Sequence, residues 1–273
     1  MLRKAICAVL GVLLIGGHAY AQLVDEFDPP VAGCCLASAA QRLTDQLQDW
    51  NQLGRYHAAN EELKKRPAEP NRVVFLGDSI TDGWKLEEYF PGKPYVNRGI
   101  GGQTTPQMLA RMYADVIALK PKVMILLAGT NDIARNTGPM TAEMIEQNFM
   151  AMTELAQHHG IRVVLCAVMP VSNYPYERKQ REAASSGASA SGRPPSRSRM
   201  TDRRPPADIL KLNAWLREYA GKVGAIYADY YSAFVDEKGW LKDGYSEDGL
   251  HPNAAGYKLM APLAEAAIQK ALQ

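Results

Sequence analysis

The feature that most constrains this chain is an alternation. Short apolar runs, rich in β-branched residues, occupy positions 73–76, 95–96, 123–128, 161–168 and 225–228. Helix-permissive stretches lie between them near 105–119, 141–159 and 209–220, and another at 254–272 closes the chain. Continuous apolar runs suit strands buried on both faces, and strands that alternate with helices are joined by crossovers. The pattern predicts an α/β fold: a parallel sheet of about five strands between two layers of helices, a three-layer α/β/α domain over residues 71–273. The chain has 273 residues, 47% hydrophobic and 22% charged. That is enough to bury a core without disulfides or a structural metal, so the four cysteines are not read as a framework.

The N-terminal end reads differently. Arg3 and Lys4 precede an apolar run over residues 5–15, followed by Ala19-Tyr20-Ala21. This predicts a secretory signal peptide over residues 1–21, cleaved after Ala21, and hence a secreted or periplasmic protein. The apolar run falls short of the ~20 residues a membrane span requires, so no stable membrane insertion is expected after cleavage. Val31-Ala32-Gly33-Cys34 has the look of a lipid-attachment site but lies well beyond the apolar run, past the acidic, proline-containing residues 25–30. Cys34 and Cys35 receive no role, Cys7 leaves with the leader, and Cys166 reads as a buried, inert thiol. Residues 22–70 form an N-terminal extension. Within it Leu43, Leu47, Trp50, Leu53 and Tyr56 recur at three- and four-residue spacing, predicting an amphipathic helix over 36–65 that Pro67 and Pro70 end.

Residues 177–206 interrupt the alternation. They are rich in Ser, Ala, Gly, Pro and Arg, with eight basic side chains against three acidic ones and almost no apolar surface to offset the entropy of ordering. A disordered basic insertion is expected there. Without aromatic residues interleaved to stack on bases, it does not suggest a nucleic-acid partner. The whole chain carries a formal charge of +2, so the remainder of the mature protein is mildly acidic, which argues against polyanionic substrates.

In an open parallel sheet ligands gather beyond the carboxyl ends of the strands, which directs attention to the residues just after each apolar run. These read Gly77-Asp78-Ser79-Ile80-Thr81-Asp82, then Asn97-Arg98-Gly99-Ile100-Gly101-Gly102-Gln103-Thr104-Thr105, then Gly129-Thr130-Asn131-Asp132, and near the C-terminus Asp248-Gly249-Leu250-His251-Pro252. A hydrolytic serine needs a base, most often histidine. His18 lies in the leader, His57 in the polar N-terminal segment, and His158 and His159 at a helix end. Among the five, His251 has a carboxylate, Asp248, three residues upstream in a turn, so that one ring nitrogen can be oriented and the other left for a serine. Ser79 opens a helix after the first strand, a position that caps the helix and also favours developing negative charge. Gly102 can bring its N–H close to an oxyanion, and Asn131 can add its amide, although both residue types are also ordinary in turns. The glycine cluster lacks the last glycine of a dinucleotide loop. Asp78, Asp82, Asp132, Asp248 and His251 were they to converge would still offer a single histidine and no zinc-type spacing, so neither a cofactor nor a metal is expected. Trp84, Tyr89 and Tyr113 are candidates for a substrate wall, with ordinary packing the preferred reading.

Taken together, these four blocks in this order resemble the GDSL/SGNH hydrolase family over roughly residues 71–272, excluding the basic segment. The resemblance implies a flavodoxin-like fold and a serine esterase. Ser79 is then the nucleophile, His251 the base, Asp248 its orienting partner, and the Ser79 N–H, Gly102 N–H and Asn131 amide the oxyanion hole. Residues 98–105 and 248–257 are similar to the platelet-activating-factor acetylhydrolase-like branch, which implies a preference for short acyl groups, acetyl in particular, on a small-molecule or polysaccharide ester. Two alternatives remain at this stage: a non-catalytic carbohydrate-binding protein on the same fold, and a longer-chain lipase or thioesterase. The alcohol half of the ester and the oligomeric state are not legible.

Overall fold

The computed structural model describes residue 44 and residues 47–67, 69–185 and 199–273, which belong to one compact unit, Thr44–Gln273. Residues 1–21, expected to be a leader, residues 31–35 and residues 186–198 of the basic segment lie outside the described residues. Five strands, β1 (Val73–Gly77), β2 (Tyr95–Gly99), β3 (Val123–Leu127), β4 (Arg162–Cys166) and β5 (Ile226–Ala228), form one sheet in the order β2-β1-β3-β4-β5 with every pairing parallel. The period-two geometry of the strands sorts their side chains to two faces. Val74, Leu76, Met124, Leu126, Val163 and Leu165 pack with Met108, Met112, Phe149, Met152, Leu212 and Leu216. Val73, Phe75, Val123, Ile125, Val164 and Cys166 pack on the opposite side with Trp84, Tyr230, Phe234, Met260, Ala264 and Ile268. Two apolar cores separated by one sheet make the three-layer α/β/α architecture that the alternation predicts.

In chain order the helices are α1 (His57–Lys64), α2 (Ser79–Asp82), α3 (Leu86–Tyr89), α4 (Thr105–Asp115), α5 (Thr130–Ile133), α6 (Ala142–His158), α7 (Tyr174–Ser185), α8 (Met200–Arg203), α9 (Pro206–Val223), α10 (Tyr230–Phe234) and α11 (Ala254–Leu272). Local sequence sets several of the boundaries. Thr104 and Gln107 make a reciprocal capping box at the start of α4, with Pro106 in its first turn. Asn253 accepts from the Gly256 N–H to open α11, and Gly224 ends α9 in the left-handed region at φ 68°. β2 extends through Asn97 and Arg98, past its apolar start, because this edge strand finds polar partners. Asn97 donates to the Thr81 and Trp84 carbonyls, and Arg98 donates to Asn60 and stacks over Tyr56.

Two expectations are corrected. The described part of the N-terminal extension is not one continuous helix over 36–65: Thr44, Leu47 and Gln48 are helical, the helix gives way to a turn at Asp49, and after a 3₁₀ turn, Leu53–Arg55, α1 begins at His57. The Asp49 carboxylate accepts from the Leu53 and Gly54 N–H groups at 2.8 and 2.9 Å, and Gln52 takes a left-handed φ of 58°. A side chain that captures backbone donors in this way competes with the helix ladder and breaks it. Leu47, Trp50 and Leu53 consequently face solvent.

The segment 177–206, expected to be disordered, is helical in α7 as far as Ser185 and again in α8, while residues 186–198 lie outside the described residues. Its charges have partners that composition cannot show. Arg178 pairs with Asp243 at 2.7 Å, and Arg181 approaches Glu177 at 3.6 Å, four residues back on the helix. Asn173 and Thr201 join the two ends of the segment through Nδ2–Oγ1 and N–Oδ1 bonds of 2.7 and 3.2 Å.

Candidate active site

β1 is flanked by β2 on one side and β3 on the other, so the chain reverses its direction of travel across the sheet there. Beyond the carboxyl ends of such strands a crevice opens between diverging loops. The turn after β1 carries Ser79, the loop after β2 carries Gly102, and the turn after β3 carries Asn131.

Ser79 is the first residue of α2, so its N–H has no acceptor inside the helix. Asp78 precedes it as the cap, with Oδ1 accepting from the Ile80 N–H at 2.9 Å. Gly77 is required because a β-carbon there would collide with the Thr81 side chain and crowd the Leu127 carbonyl at 2.8 Å. Ser79 Oγ lies 2.9 Å from His251 Nε2, and His251 Nδ1 lies 2.6 Å from Asp248 Oδ2. The other carboxylate oxygen of Asp248 accepts from the Leu250 and His251 N–H groups at 2.9 and 2.8 Å and from the Ser246 hydroxyl at 3.1 Å. Those bonds hold Asp248 well below the ordinary carboxylate range despite partial burial. The Asp248 carboxylate raises the His251 imidazole above its ordinary value, against the opposing effect of burial. A half-buried histidine between a serine hydroxyl and a fixed carboxylate can take a proton from the one while its cation is stabilised by the other.

Gly102 has φ +79°, a conformation that costs glycine little, and it sits on the rim of the crevice. A β-carbon placed on its neighbour Gly101 would stand 3.8 Å from Ser79 Cβ, which locates this loop beside the serine. The loop is held from several sides. Buried Arg111 donates to Gln103 Oε1 at 2.6 Å and to the Gly77 carbonyl at 3.0 Å, and Gln103 Nε2 donates to the Asn51 carbonyl at 2.9 Å. The Tyr56 hydroxyl donates to the Gly99 carbonyl, and Asp82 accepts from the Gly101 N–H at 3.2 Å. The N-terminal segment thus braces the loop. Asn131, 3% exposed, donates one amide N–H to the Gln103 carbonyl at 3.1 Å, leaving the other. Gly129 turns the chain into α5 at φ +108°, with no room for a β-carbon beside Leu212 and Val168.

The remaining sequence candidates fall elsewhere. Asp132 accepts from the Thr105 N–H and hydroxyl, and Asp82 from Arg55 and the Gly101 N–H, so each acidic side chain of the cluster holds its own piece of backbone. Among the described residues no three His, Cys, Asp or Glu side chains are grouped to hold a metal ion. His57, His158 and His159 are exposed, the last two at the C-terminal end of α6. Trp84 is buried among Phe75, Phe90 and Tyr257, Tyr89 packs on Tyr257, and exposed Tyr113 stands against His159. Burial pushes the Cys166 thiol up to about 12, which leaves it protonated and unreactive. Arg203 and Arg204, counted above as part of the basic insertion, reach the crevice instead, with Arg204 4% exposed beside Asn131. No local signal distinguishes them from the other arginines of their segment.

Comparison with known proteins agrees with this geometry. The profile of the GDSL-like Lipase/Acylhydrolase family matches residues 75–259. A solved structure assigned as an acylhydrolase, from Bacteroides fragilis, superposes with a TM-score of 0.70 at 36% identity, covering 82% of this chain and 99% of that one. The uncharacterized lipoprotein YqeF of Bacillus subtilis is 31% identical over 118 residues, 36% of this chain and 49% of its own. Esterase TesA of Pseudomonas aeruginosa is 28% identical over 126 residues, 41% of this chain and 61% of its own. The chain thus spans about half to three fifths of the length of these two curated relatives. Among the described residues no helix is long and apolar enough to cross a membrane.

Proposed function

The chain belongs to the GDSL-like lipase/acylhydrolase family, which places it among the carboxylic ester hydrolases, and from that premise we propose that it is an exported serine esterase cleaving short-acyl, chiefly acetyl, esters through an acyl-enzyme. The observation that carries the reading is the chain of contacts Ser79 Oγ to His251 Nε2 at 2.9 Å and His251 Nδ1 to Asp248 Oδ2 at 2.6 Å. As Ser79 Oγ attacks the acyl carbon, Nε2 takes its proton and Asp248 stabilises the imidazolium. The tetrahedral oxyanion is met by the Ser79 and Gly102 N–H groups and the free N–H of Asn131. Collapse breaks the bond to the alcohol, which leaves with the proton from His251. Water then attacks the acyl carbon and gives a proton to the same nitrogen, the bond to Ser79 Oγ breaks, that oxygen takes the proton back from His251, and the carboxylic acid is released.

The short-acyl preference is supported by the polar rim on the oxyanion side. Asp82 flanks Gly101, while Asn136 and Arg203 flank Gly102. A long alkyl chain gains ~0.8 kcal/mol per methylene only where it is buried against apolar surface. Export is supported by the basic and apolar leader over residues 1–21. A fluorophosphonate probe is expected to label the full chain, with labelling lost in Ser79→Ala. Turnover of nitrophenyl acetate is expected to exceed that of the decanoate. Labelling that persists in folded Ser79→Ala refutes the nucleophile, and equal or faster turnover of the long ester refutes the acyl preference.

A further inference from the structure

The crevice contains a pair of parallel contacts that the triad and the oxyanion donors do not use. Arg204 Nη2 donates to Asn131 Oδ1 at 3.2 Å, and Asn131 Nδ2 donates to the Gln103 carbonyl at 3.1 Å. Arg203 Nη2 donates to Asn136 Oδ1 at 3.1 Å, and Asn136 Nδ2 donates to the Gly102 carbonyl at 3.1 Å. In each case a guanidinium takes the acceptor end of an asparagine amide whose donor end grips the loop after β2. The two adjacent arginines therefore reach both halves of the oxyanion site from one four-residue helix, α8, and the residue that follows it.

We propose, on the serine-esterase reading above, that Arg203 and Arg204 are positioning residues for the oxyanion hole, Arg204 acting through Asn131 and Arg203 through Asn136. Three observations argue for a fixed device rather than incidental surface charge. First, Arg204 is 4% exposed and spends its donors inside the protein: Nε on the Thr130 carbonyl and hydroxyl at 3.2 and 3.0 Å, Nη1 on Met200 Sδ, Nη2 on Asn131. Burying a cation is costly unless its hydrogen bonds are met, so partners at all three nitrogens fix the side chain.

Second, the element it holds cannot hold itself. α5 is one turn long and is entered through Gly129 at φ +108°, so the direction of the Asn131 amide depends on contacts from outside the turn. Arg204 binds the backbone carbonyl and hydroxyl of Thr130 and the side chain of Asn131 together. Third, a cation on the oxygen of an amide draws electron density from its N–H groups and makes them stronger donors, the direction that serves an oxyanion. Asp78 and Asp248 lie near enough to favour the Arg204 cation, opposing the effects of burial and of Arg203.

The same contacts give the basic segment a function. Asn173 and Thr201 bond to each other at its two ends, so the chain that leaves β4 returns at α8 in a fixed place and delivers Arg203 and Arg204 to the crevice.

The test is a double-mutant cycle on the full chain, with kcat normalised to sites titrated by fluorophosphonate so that unfolded protein does not count. Arg204→Met is expected to lower kcat roughly 10- to 100-fold with KM within about threefold, because misdirection of an oxyanion donor is felt in the transition state. Arg204→Lys is expected to recover part of the loss. Combined with Asn131→Ala, Arg204→Met is expected to add little to the loss from Asn131→Ala alone. Affinity for a boronic acid that mimics the tetrahedral intermediate is expected to fall in proportion to kcat/KM. Arg203 is exposed, so Arg203→Gln folds without a buried defect and gives the second arm: a loss of roughly threefold to tenfold in kcat that vanishes in an Asn136→Ala background. Losses that multiply with those of the asparagines, or normalised kcat unchanged in Arg204→Met and Arg203→Gln, overturn the proposal. Either result leaves the labelling of Ser79 intact, whereas failure of that labelling removes the esterase reading itself.

Discussion

Replacing Asp78 with asparagine tests how much charge the turn beneath Ser79 tolerates. Asp78 is 1% exposed, and while Oδ1 accepts from Ile80, Oδ2 is buried with no hydrogen-bond partner among the described residues. Burial, eased by the Ile80 N–H and reinforced by Asp132, pushes this carboxyl from its ordinary 3.8 up to about 6. The folded protein therefore holds the proton more tightly than the unfolded chain does. The resulting stabilisation is fully present below pH 3.8 and is lost as the pH rises through about 6. At 1.36 kcal/mol per pH unit the full span corresponds to about 3 kcal/mol, of which about 2.5 falls between pH 4 and pH 8. Asparagine keeps the Oδ1 acceptor and cannot ionise. Its own packing cost, whatever its size, does not vary with pH. The stability of the native protein relative to Asp78→Asn is thus expected to decline by about 2.5 kcal/mol from pH 4 to pH 8, or roughly 5–10 °C in relative Tm for a domain of this size. Urea denaturation of both proteins across that range measures it. A difference that stays flat, or that favours the native protein increasingly with pH, refutes the argument that this carboxylate is held in a site too dry for its charge.

Two further outcomes follow from the site geometry. Asp248→Asn is expected to lower kcat by about 10⁴-fold, since the amide cannot fix the Nδ1–H tautomer of His251. The native base must be neutral and is raised by Asp248, so the acid limb of kcat/KM lies above pH 6.5 in the native enzyme and moves to lower pH in the variant; a pH–rate profile with an unmoved limb contradicts the pairing. Gly129→Ala combines a φ of +108° with a β-carbon 2.8 Å from Leu212 Cδ2. It is expected to cost about 2–4 kcal/mol in urea unfolding and to lower kcat through Asn131, and a neutral stability change speaks against a strained turn.

The contrast between Asn131 and Arg204 shows where sequence reasoning reaches and where it stops. Asn131 follows a five-residue apolar strand by four positions, and topology alone carries any polar residue there to the edge of the crevice. Ser79 and Gly102 are legible for the same reason: strand ends of a doubly wound sheet are addresses that periodicity can read. His251 needed its neighbour Asp248, because four other histidines compete with it and only the short-range pairing separates them. Arg204 has no such address. It lies 73 residues from Asn131 along the chain, in a stretch whose Ser, Pro and Arg content matches that of solvated linkers. Composition averages over a window, whereas burial is decided residue by residue by what the rest of the fold brings near. The same limit explains the N-terminal segment. Spacing suggests one amphipathic helix, yet Asp49 takes the N–H groups of Leu53 and Gly54, and Tyr56 and Asn60 find partners at Gly99 and Arg98 on β2. Polar side chains that end a helix early and then brace an edge strand are invisible to hydrophobic periodicity, because their contribution lies in hydrogen bonds formed across the fold. The groups proposed for catalysis are thus set by local sequence at strand ends, while the residues that hold those groups still come from segments whose local sequence says nothing of where they go.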